Sequence, residues 1–516
     1  MVEKTNNQSN FFTWMERNAR TVPDKLAISS IDQNKDISHG ELFKIANQIG
    51  QYYENKGIGR NDRVVLLSNN SIEHLIIYLA SLAYGCTICT VNVEMNARYL
   101  SKIIESLNAK TIFFEPESVT IDQQNQNISK DQHNIGEWSK NGSSGIFSQF
   151  EKHKTSVGNW PLAKRTDDIS IFYTSGTSSN PKGVVCSYAE LYDNTTPISD
   201  AFGLTSKDRI LDCRSMNWMS AQVLSAIGPV AKGSSLLLGR KFSASSFFDW
   251  INDYEATVAV GNPTIINMLV NRERSRGHKA APNLRYITSS SAPLLVSEWK
   301  RFEETFNIQI CQGYGASEVG WISGSHEQSR RLGSVGRPVK YQQVAIVDNE
   351  GNALGRNQIG AIQLNGNPAG RYRYLDEKGK VVINGEGSIL TGDMGYIDED
   401  GFLFVTGREK DLIIRGGVNI SPLEIDNVIL QIPEVLEVAT VGVPDEVYGE
   451  RVVVYIVAKK SHCPIEDTVL TFCQQNLPDF KVPGEIIFKD TLPKTKRGKM
   501  DRNALAQEWK KENIPN

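Results

Sequence analysis

The eleven residues 173–183, YTSGTSSNPKG, carry five hydroxyl side chains besides the tyrosine, two glycines and one lysine. Thr174, Ser175, Thr177, Ser178 and Ser179 supply hydroxyl donors, Gly176 lets the backbone turn its N–H groups toward an anion, and Lys182 adds a point positive charge. Such a loop is suited to holding phosphates, although it lacks the Walker spacing. Residues 169–172 read as the end of a buried strand, which would put the loop at the carboxyl edge of a sheet, where α/β proteins bind ligands. Taken alone, a Ser/Thr/Gly run also reads as a solvated linker.

Four short motifs follow in order: 313–318 (GYGASE), 391–393 (TGD), 407–411 (GREKD) and 493–499 (PKTKRGK). With the loop ahead of them, the chain resembles the ANL superfamily of adenylate-forming enzymes, which includes acyl-CoA synthetases, nonribosomal peptide adenylation domains and firefly-type luciferases. The resemblance runs from about Asn10 to about Leu505. It implies activation of a carboxylate by transfer to AMP, because a carboxylate repels nucleophiles and has no usable leaving group. Attack on the α-phosphate builds negative charge on phosphate oxygens, so cations and fixed donors must stand there in advance.

The resemblance assigns Thr174, Ser175, Gly176, Thr177, Ser178 and Lys182 to the β- and γ-phosphates of ATP. Glu318, with Thr174, would contact Mg²⁺ as a hard oxygen ligand. Ser317 would donate to the α-phosphate; family members usually carry Thr there, and Ser keeps the hydroxyl with a looser rotamer. Tyr314, between Gly313 and Gly315, would lie against adenine, with Ser291, Ala292 and Pro293 on the other side. Asp393 would accept from both ribose hydroxyls, the task of an acceptor-only carboxylate, and Arg408 would donate to the same sugar. From local sequence alone Asp393 reads as a turn residue between the strand-like segments 388–390 and 396–397. Lys499 would bridge the substrate carboxylate and the α-phosphate as a long-stemmed point charge, although composition alone makes 494–499 a solvated basic tail.

These residues need a scaffold too long for one core, and the 516-residue chain should divide. The expected fold class is α/β. The strand pattern 62–68 followed by an apolar helix over 72–84 argues for βα units with parallel sheets. The resemblance refines this to a large N-terminal domain, residues 1–409, of two βαβ-type subdomains plus a small β-barrel. A smaller mobile α+β cap, residues 410–516, would carry Lys499. Lys410 falls on the hinge position implied by the family, and Gly416 and Gly417 would give pantetheine a passage free of side chains. Gly-Gly equally favours a plain hairpin turn.

Composition narrows the remaining classes. A net charge of −3 from 56 basic and 59 acidic residues leaves no nucleic-acid footprint. The uncharged run 75–93 is interrupted by Ser81, Gly85, Thr87, Thr90 and Asn92, so a buried helix and a strand are expected rather than a membrane span. The amino terminus has no apolar stretch of signal-peptide type, and a cytoplasmic location is expected. Seven cysteines lack disulfide spacing; Cys86 and Cys89 form a CxxC pair best read as buried small hydrophobes. Residues 117–167 are polar and read as a mobile surface excursion.

The acid pocket is expected from 215–221, 289–293 and 313–316, with Asn217, Trp218 and Ala316 on its wall. Many ligases of the family carry a histidine near Asn217, and amino-acid-activating members an aspartate. Without an acidic partner a buried ammonium would be costly, which disfavours a free α-amino acid. Trp218 would fill much of a tunnel, pointing to a compact acid, aromatic or short to medium in chain, unless it packs into the core instead. The expected activity is an ATP-dependent, Mg²⁺-assisted acid–CoA ligase. The alternatives are loading of a carrier protein's phosphopantetheine and, more remotely, a non-catalytic nucleotide sensor. Oligomeric state is not legible.

Overall fold

The computed structural model describes residues 10–95, 97–119, 131–158, 160–173, 182–276, 280–366, 372–385, 387–459, 466–494 and 500–513. Four sheets organise them. The first runs, edge to edge, Val381–Asn384, Tyr372–Leu375, Gly183–Ser187, Asp168–Tyr173, Thr87–Thr90, Arg63–Leu67, Thr111–Phe114 and Gln132–Asn134. Five of these strands, from Asp168–Tyr173 to Gln132–Asn134, are mutually parallel. Continuous apolar runs such as Val64–Leu67 suit strands covered on both faces. Helix Ile72–Tyr84 is buried at every position and ends on Gly85 at φ 103°, so the uncharged run 75–93 resolves into a core helix and a strand.

The second sheet has a parallel centre formed by Gln309–Ala316, Tyr286–Ser289, Val258–Val260, Arg209–Asp212, Ser235–Leu238 and Leu26–Ser30. Two sheets of βα units thus match the α/β expectation. A third sheet is four-stranded and antiparallel, in the order Gln343–Val347, Gly360–Asn365, Ser388–Ile397 and Leu403–Arg408.

The last sheet is built from Val418–Ile420, Ile413–Arg415, Gly449–Ala458 and Val435–Asp445, with Glu485–Phe488 parallel to Gly449–Ala458. Its long strands alternate. Val452, Val454 and Ile456 enter one apolar cluster with Ile425, Ile429 and Cys473, while Val453, Tyr455 and Val457 enter another with Leu505 and Trp509. The period of two buries both faces under helices.

The described residues of 117–167 behave differently from their polar composition. Trp138, Ile146, Phe147, Phe150 and Trp160 are buried in the main core, with Phe150 edge-on to Tyr52 and Phe113. A few aromatics spaced through polar chain suffice to pin it, because each buries a large apolar area. Cys86 and Cys89 are fully buried. Among the described residues no group of three or more His, Cys, Asp and Glu could hold a metal, and no helix is long and apolar enough to cross a membrane.

Candidate active site

Strand Gln309–Ala316 carries Gly313, Tyr314, Gly315 and Ala316 to the carboxyl edge of the second sheet, then doubles back as the antiparallel strand Gly320–Gly324. Ser317 and Glu318 occupy the turn between them, both half-buried. The hairpin closes tightly: a Cβ on Gly315 would lie 2.5 Å from the Gly320 carbonyl oxygen, so no larger residue fits.

The Asp393 carboxylate is held from two sides. Tyr314 Oη donates to one oxygen at 2.5 Å, and Arg408 Nε forms an ion pair with the other at 3.1 Å. Asp393 and Arg408 are directly opposed partners in the antiparallel ladder of Ser388–Ile397 with Leu403–Arg408. The turn expected at Gly392-Asp393 is instead part of one continuous strand, in which Gly392 takes φ 75° and the Thr391 hydroxyl accepts from the Asp393 N–H at 3.1 Å. Burial, and then the charge of Asp393, push the Tyr314 phenol far above its ordinary range, so it stays a donor at any working pH. A carboxylate with lone pairs left over, a guanidinium and a phenol ring together offer the donors, acceptors and flat apolar face that a nucleoside needs.

Lys182 is exposed just ahead of strand Gly183–Ser187. Its Nζ lies 5.4 Å from the centroid of the Tyr374 ring, and Tyr374 Oη donates to Glu318 Oε1 at 3.4 Å. Strand Tyr372–Leu375 makes this possible by pairing with Gly183–Ser187 through Tyr374 and Val184. Thr174, Ser175, Gly176, Thr177 and Ser178 lie outside the described residues, as does Lys499. Mg²⁺ fits this donor set: it binds through one or two carboxylates and the nucleotide's own phosphates, so Glu318 suffices without an all-protein cage.

The residues expected to line the acid pocket follow the carboxyl ends of strands Arg209–Asp212, Tyr286–Ser289 and Gln309–Ala316 of the second sheet. Trp218 is half-buried and, among the described residues, belongs to none of the apolar core clusters. It leads into Met219–Ala221, followed by a π-helical turn at Gln222–Ile227, a distortion frequent near functional sites. Asn217 is buried and donates to the Ser68 carbonyl at 3.1 Å, while its Oδ1 has no partner among the described residues. Ser289 Oγ and Ser290 Oγ are also buried without partners among the described residues. Ser291 adopts φ 73°, a rare conformation for a non-glycine residue, next to the half-buried Ala292 and exposed Pro293.

Sequence reasoning missed the pair behind this wall. Asp212 and Arg214 are both buried and joined at 2.8 Å; Ser225 Oγ donates to Asp212 at 2.6 Å and Asn70 Nδ2 to the Arg214 carbonyl at 2.7 Å. Asn70 Oδ1 accepts from Met216 N–H at 2.8 Å, so the segment before Trp218 is clasped from beneath. The available signal was an acid and a base two residues apart after an apolar strand, which many surfaces share.

Lys410 is exposed in the single 3-10 turn Glu409–Asp411. Gly416 and Gly417, at φ 57° and 82°, form the two-residue turn between Ile413–Arg415 and Val418–Ile420, so the hairpin reading of this pair describes its backbone. An isolated bridge between Lys494 and Met500 brings together the two ends of the segment that contains Lys499.

Comparison with known proteins agrees with this geometry. The family model "AMP-binding enzyme" matches residues 15–371 and "AMP-binding enzyme C-terminal domain" residues 424–499. Oxalate–CoA ligase of Arabidopsis thaliana is 30% identical over 505 residues, covering 96% of this chain and 98% of the relative. Sulfoacetate–CoA ligase of Cupriavidus necator is 29% identical, covering 94% of each. The ATP-bound crystal structure of MatB from Rhodopseudomonas palustris superposes with a TM-score of 0.81 at 25% identity, over 98% of this chain and 99% of that one. The matched span, the paired Asp393 and Arg408, and the hairpin bearing Glu318 lead to one conclusion: the chain belongs to the AMP-binding enzyme family, within the adenylate-forming superfamily.

Proposed function

We propose that the protein is an ATP-dependent acid–CoA ligase. It would join a carboxylic acid to the α-phosphate of ATP, releasing pyrophosphate, and then pass the acyl group to the thiol of coenzyme A, releasing AMP. The observation that carries the reading is the Tyr314–Asp393–Arg408 cluster, a nucleoside-shaped set of groups formed where the strand leading to Glu318 meets the four-stranded antiparallel sheet. Relatives named as CoA ligases for oxalate, sulfoacetate and indoleacetate support coenzyme A as the acceptor.

In this reading Tyr314 lies against adenine, Asp393 accepts from the ribose hydroxyls and Arg408 donates to the sugar. Glu318 would hold Mg²⁺, which when bound neutralises charge on the phosphate oxygens. Lys182 and the hydroxyls of the preceding loop bind the outer phosphates, and Ser317 donates to the α-phosphate. Lys499 orients the acid, which attacks as the carboxylate and needs no base. In the second step the thiol gives its proton to solvent, its sulfur bonds to the acyl carbon as the bond from that carbon to the phosphate oxygen breaks, and AMP departs with its phosphate dianionic. We place the domain division at 409/410, with Lys410 as the hinge and the Gly416-Gly417 turn bordering the pantetheine path.

The acid is compact, aromatic or short to medium in chain. Trp218 on the wall limits length, and the unpartnered Asn217 Oδ1, Ser289 Oγ and Ser290 Oγ leave hydrogen-bonding capacity suited to a polar acid. Pyrophosphate release with Mg-ATP across a panel of aromatic, short, medium and long acids, each with and without coenzyme A, tests the proposal. Acyl-CoA and AMP from one compact class supports it. Adenylate formed with no CoA product would favour a carrier protein, and silence across the panel would favour a nucleotide sensor.

A further inference from the structure

The phosphate-loop lysine and the carboxylate offered to the metal carry opposite charges close to the same side chain, yet among the described residues no ion pair joins Lys182 to Glu318. Both touch Tyr374. The ammonium lies 5.4 Å from its ring centroid, and Glu318 Oε1 accepts from its hydroxyl at 3.4 Å. We propose that Tyr374 is a positioning residue of the nucleotide–metal site, keeping Lys182 and Glu318 apart and directing each toward its own ligand; this rests on the ATP–Mg²⁺ reading above.

Tyrosine suits the task because it is neutral at both ends. A ring face attracts an ammonium through its quadrupole without cancelling the charge that phosphates need. A phenol O–H occupies one carboxylate oxygen, leaves the other open, and does not neutralise the anion as a lysine or arginine would. Hydrogen bonds of this kind to a metal-binding carboxylate fix its rotamer and tune its basicity. With an aliphatic residue in its place, Lys182 and Glu318 would be free to pair with each other, and ligand binding would first have to break that pair.

The backbone holds Tyr374 in place independently of any ligand. Its strand, Tyr372–Leu375, comes from far downstream and is inserted beside Gly183–Ser187, with Tyr374 opposite Val184. On the other face of the strand Arg373 donates to Asp168 and lies 3.6 Å from Glu190. The ring packs against the main core. Strand, ion pairs and core thus fix the tyrosine between a loop on one sheet and a hairpin on another.

The test compares the full-length protein with its Tyr374→Phe and Tyr374→Leu variants. Free Mn²⁺ is followed by electron paramagnetic resonance in the presence of α,β-methylene-ATP, and binding of the analogue at saturating Mn²⁺ is measured by calorimetry. Tyr374→Phe keeps the ring and loses only the hydroxyl; it should weaken Mn²⁺ binding about tenfold while leaving analogue affinity at saturating Mn²⁺ unchanged. Tyr374→Leu should weaken both. Wild-type Mn²⁺ affinity in Tyr374→Phe would overturn the proposal, and this variant decides alone if the leucine variant does not fold. Failure of the wild type to bind Mn²⁺ with the analogue would instead overturn the ATP–Mg²⁺ reading on which it rests.

Discussion

Asp393 and Arg408 face each other across one rung of an antiparallel ladder, Nε to Oδ1 at 3.1 Å, so the fold itself assembles the pair to which the proposed function assigns the ribose. Tyr314 holds the second carboxylate oxygen. Asp393→Asn keeps the shape but loses the charge. Hydrogen bonds to a charged group contribute about 1.5–3 kcal/mol, so ATP affinity should fall by roughly ten- to a hundredfold with melting temperature little changed. Calorimetry with a non-hydrolysable analogue measures it; unchanged affinity would remove Asp393 from the nucleotide site.

Trp218 gives a prediction about the acid. Half-buried, it is the residue to which the proposed function gives the volume that a longer substrate would need. Trp218→Gly should extend the range of accepted acids toward longer chains and lower kcat/KM for the native one. An unchanged chain-length profile in the pyrophosphate assay would take Trp218 off the wall.

His74 makes stability depend on pH. It is fully buried, its Nδ1 lies 2.8 Å from Ser68 Oγ, and burial lowers its pKa to about 4. Because the folded pKa lies below the ordinary imidazole value, its stabilising effect is complete above about pH 6.5 and is lost as pH falls toward 4, with a span of roughly 3 kcal/mol. His39, lowered to about 4 mainly by burial, acts over the same window. His74→Gln should remove about half of the combined decline of the two histidines. Urea unfolding at several pH values measures the slope, and an unaltered slope would contradict the assignment.

Asp426 and Arg502 anchor the base of the lysine-bearing segment. Asp426 is buried, accepting from Thr440 N–H at 2.8 Å, from Thr440 Oγ1 at 2.6 Å and from Arg502. Burial raises its pKa, and Arg502 opposes the shift. Arg502→Ala should cost about 3–5 kcal/mol by leaving a buried carboxylate without its cation. Combining Asp426→Asn with Arg502→Met should recover much of the loss. Equal destabilisation by the single and double variants in urea unfolding would contradict this.

Phosphate and sugar chemistry needs a few residue types in order, and 313–318 and 407–411 offer them in short runs, from which the structure brings Tyr314 and Arg408 together on Asp393. Asp393 was harder. Glycine beside it signals a turn locally, and only the partner strand Leu403–Arg408 makes 388–397 a single extended segment. The buried Trp138, Phe147 and Phe150 were hidden by polar neighbours, since averaged composition conceals widely spaced anchors. Tyr374 and the Asp212–Arg214 pair depend on contacts between segments distant in sequence or on burial that no local period encodes.

The most direct test of the central claim follows oxygen. With the acid that turns over supplied carrying ¹⁸O in its carboxylate, together with Mg-ATP and coenzyme A, mass spectrometry of the nucleotide product shows which bond forms. An acyl-adenylate requires one ¹⁸O in each AMP released and none in pyrophosphate. Label in inorganic phosphate with ADP as the nucleotide product, or unlabelled AMP alongside acyl-CoA, would contradict it.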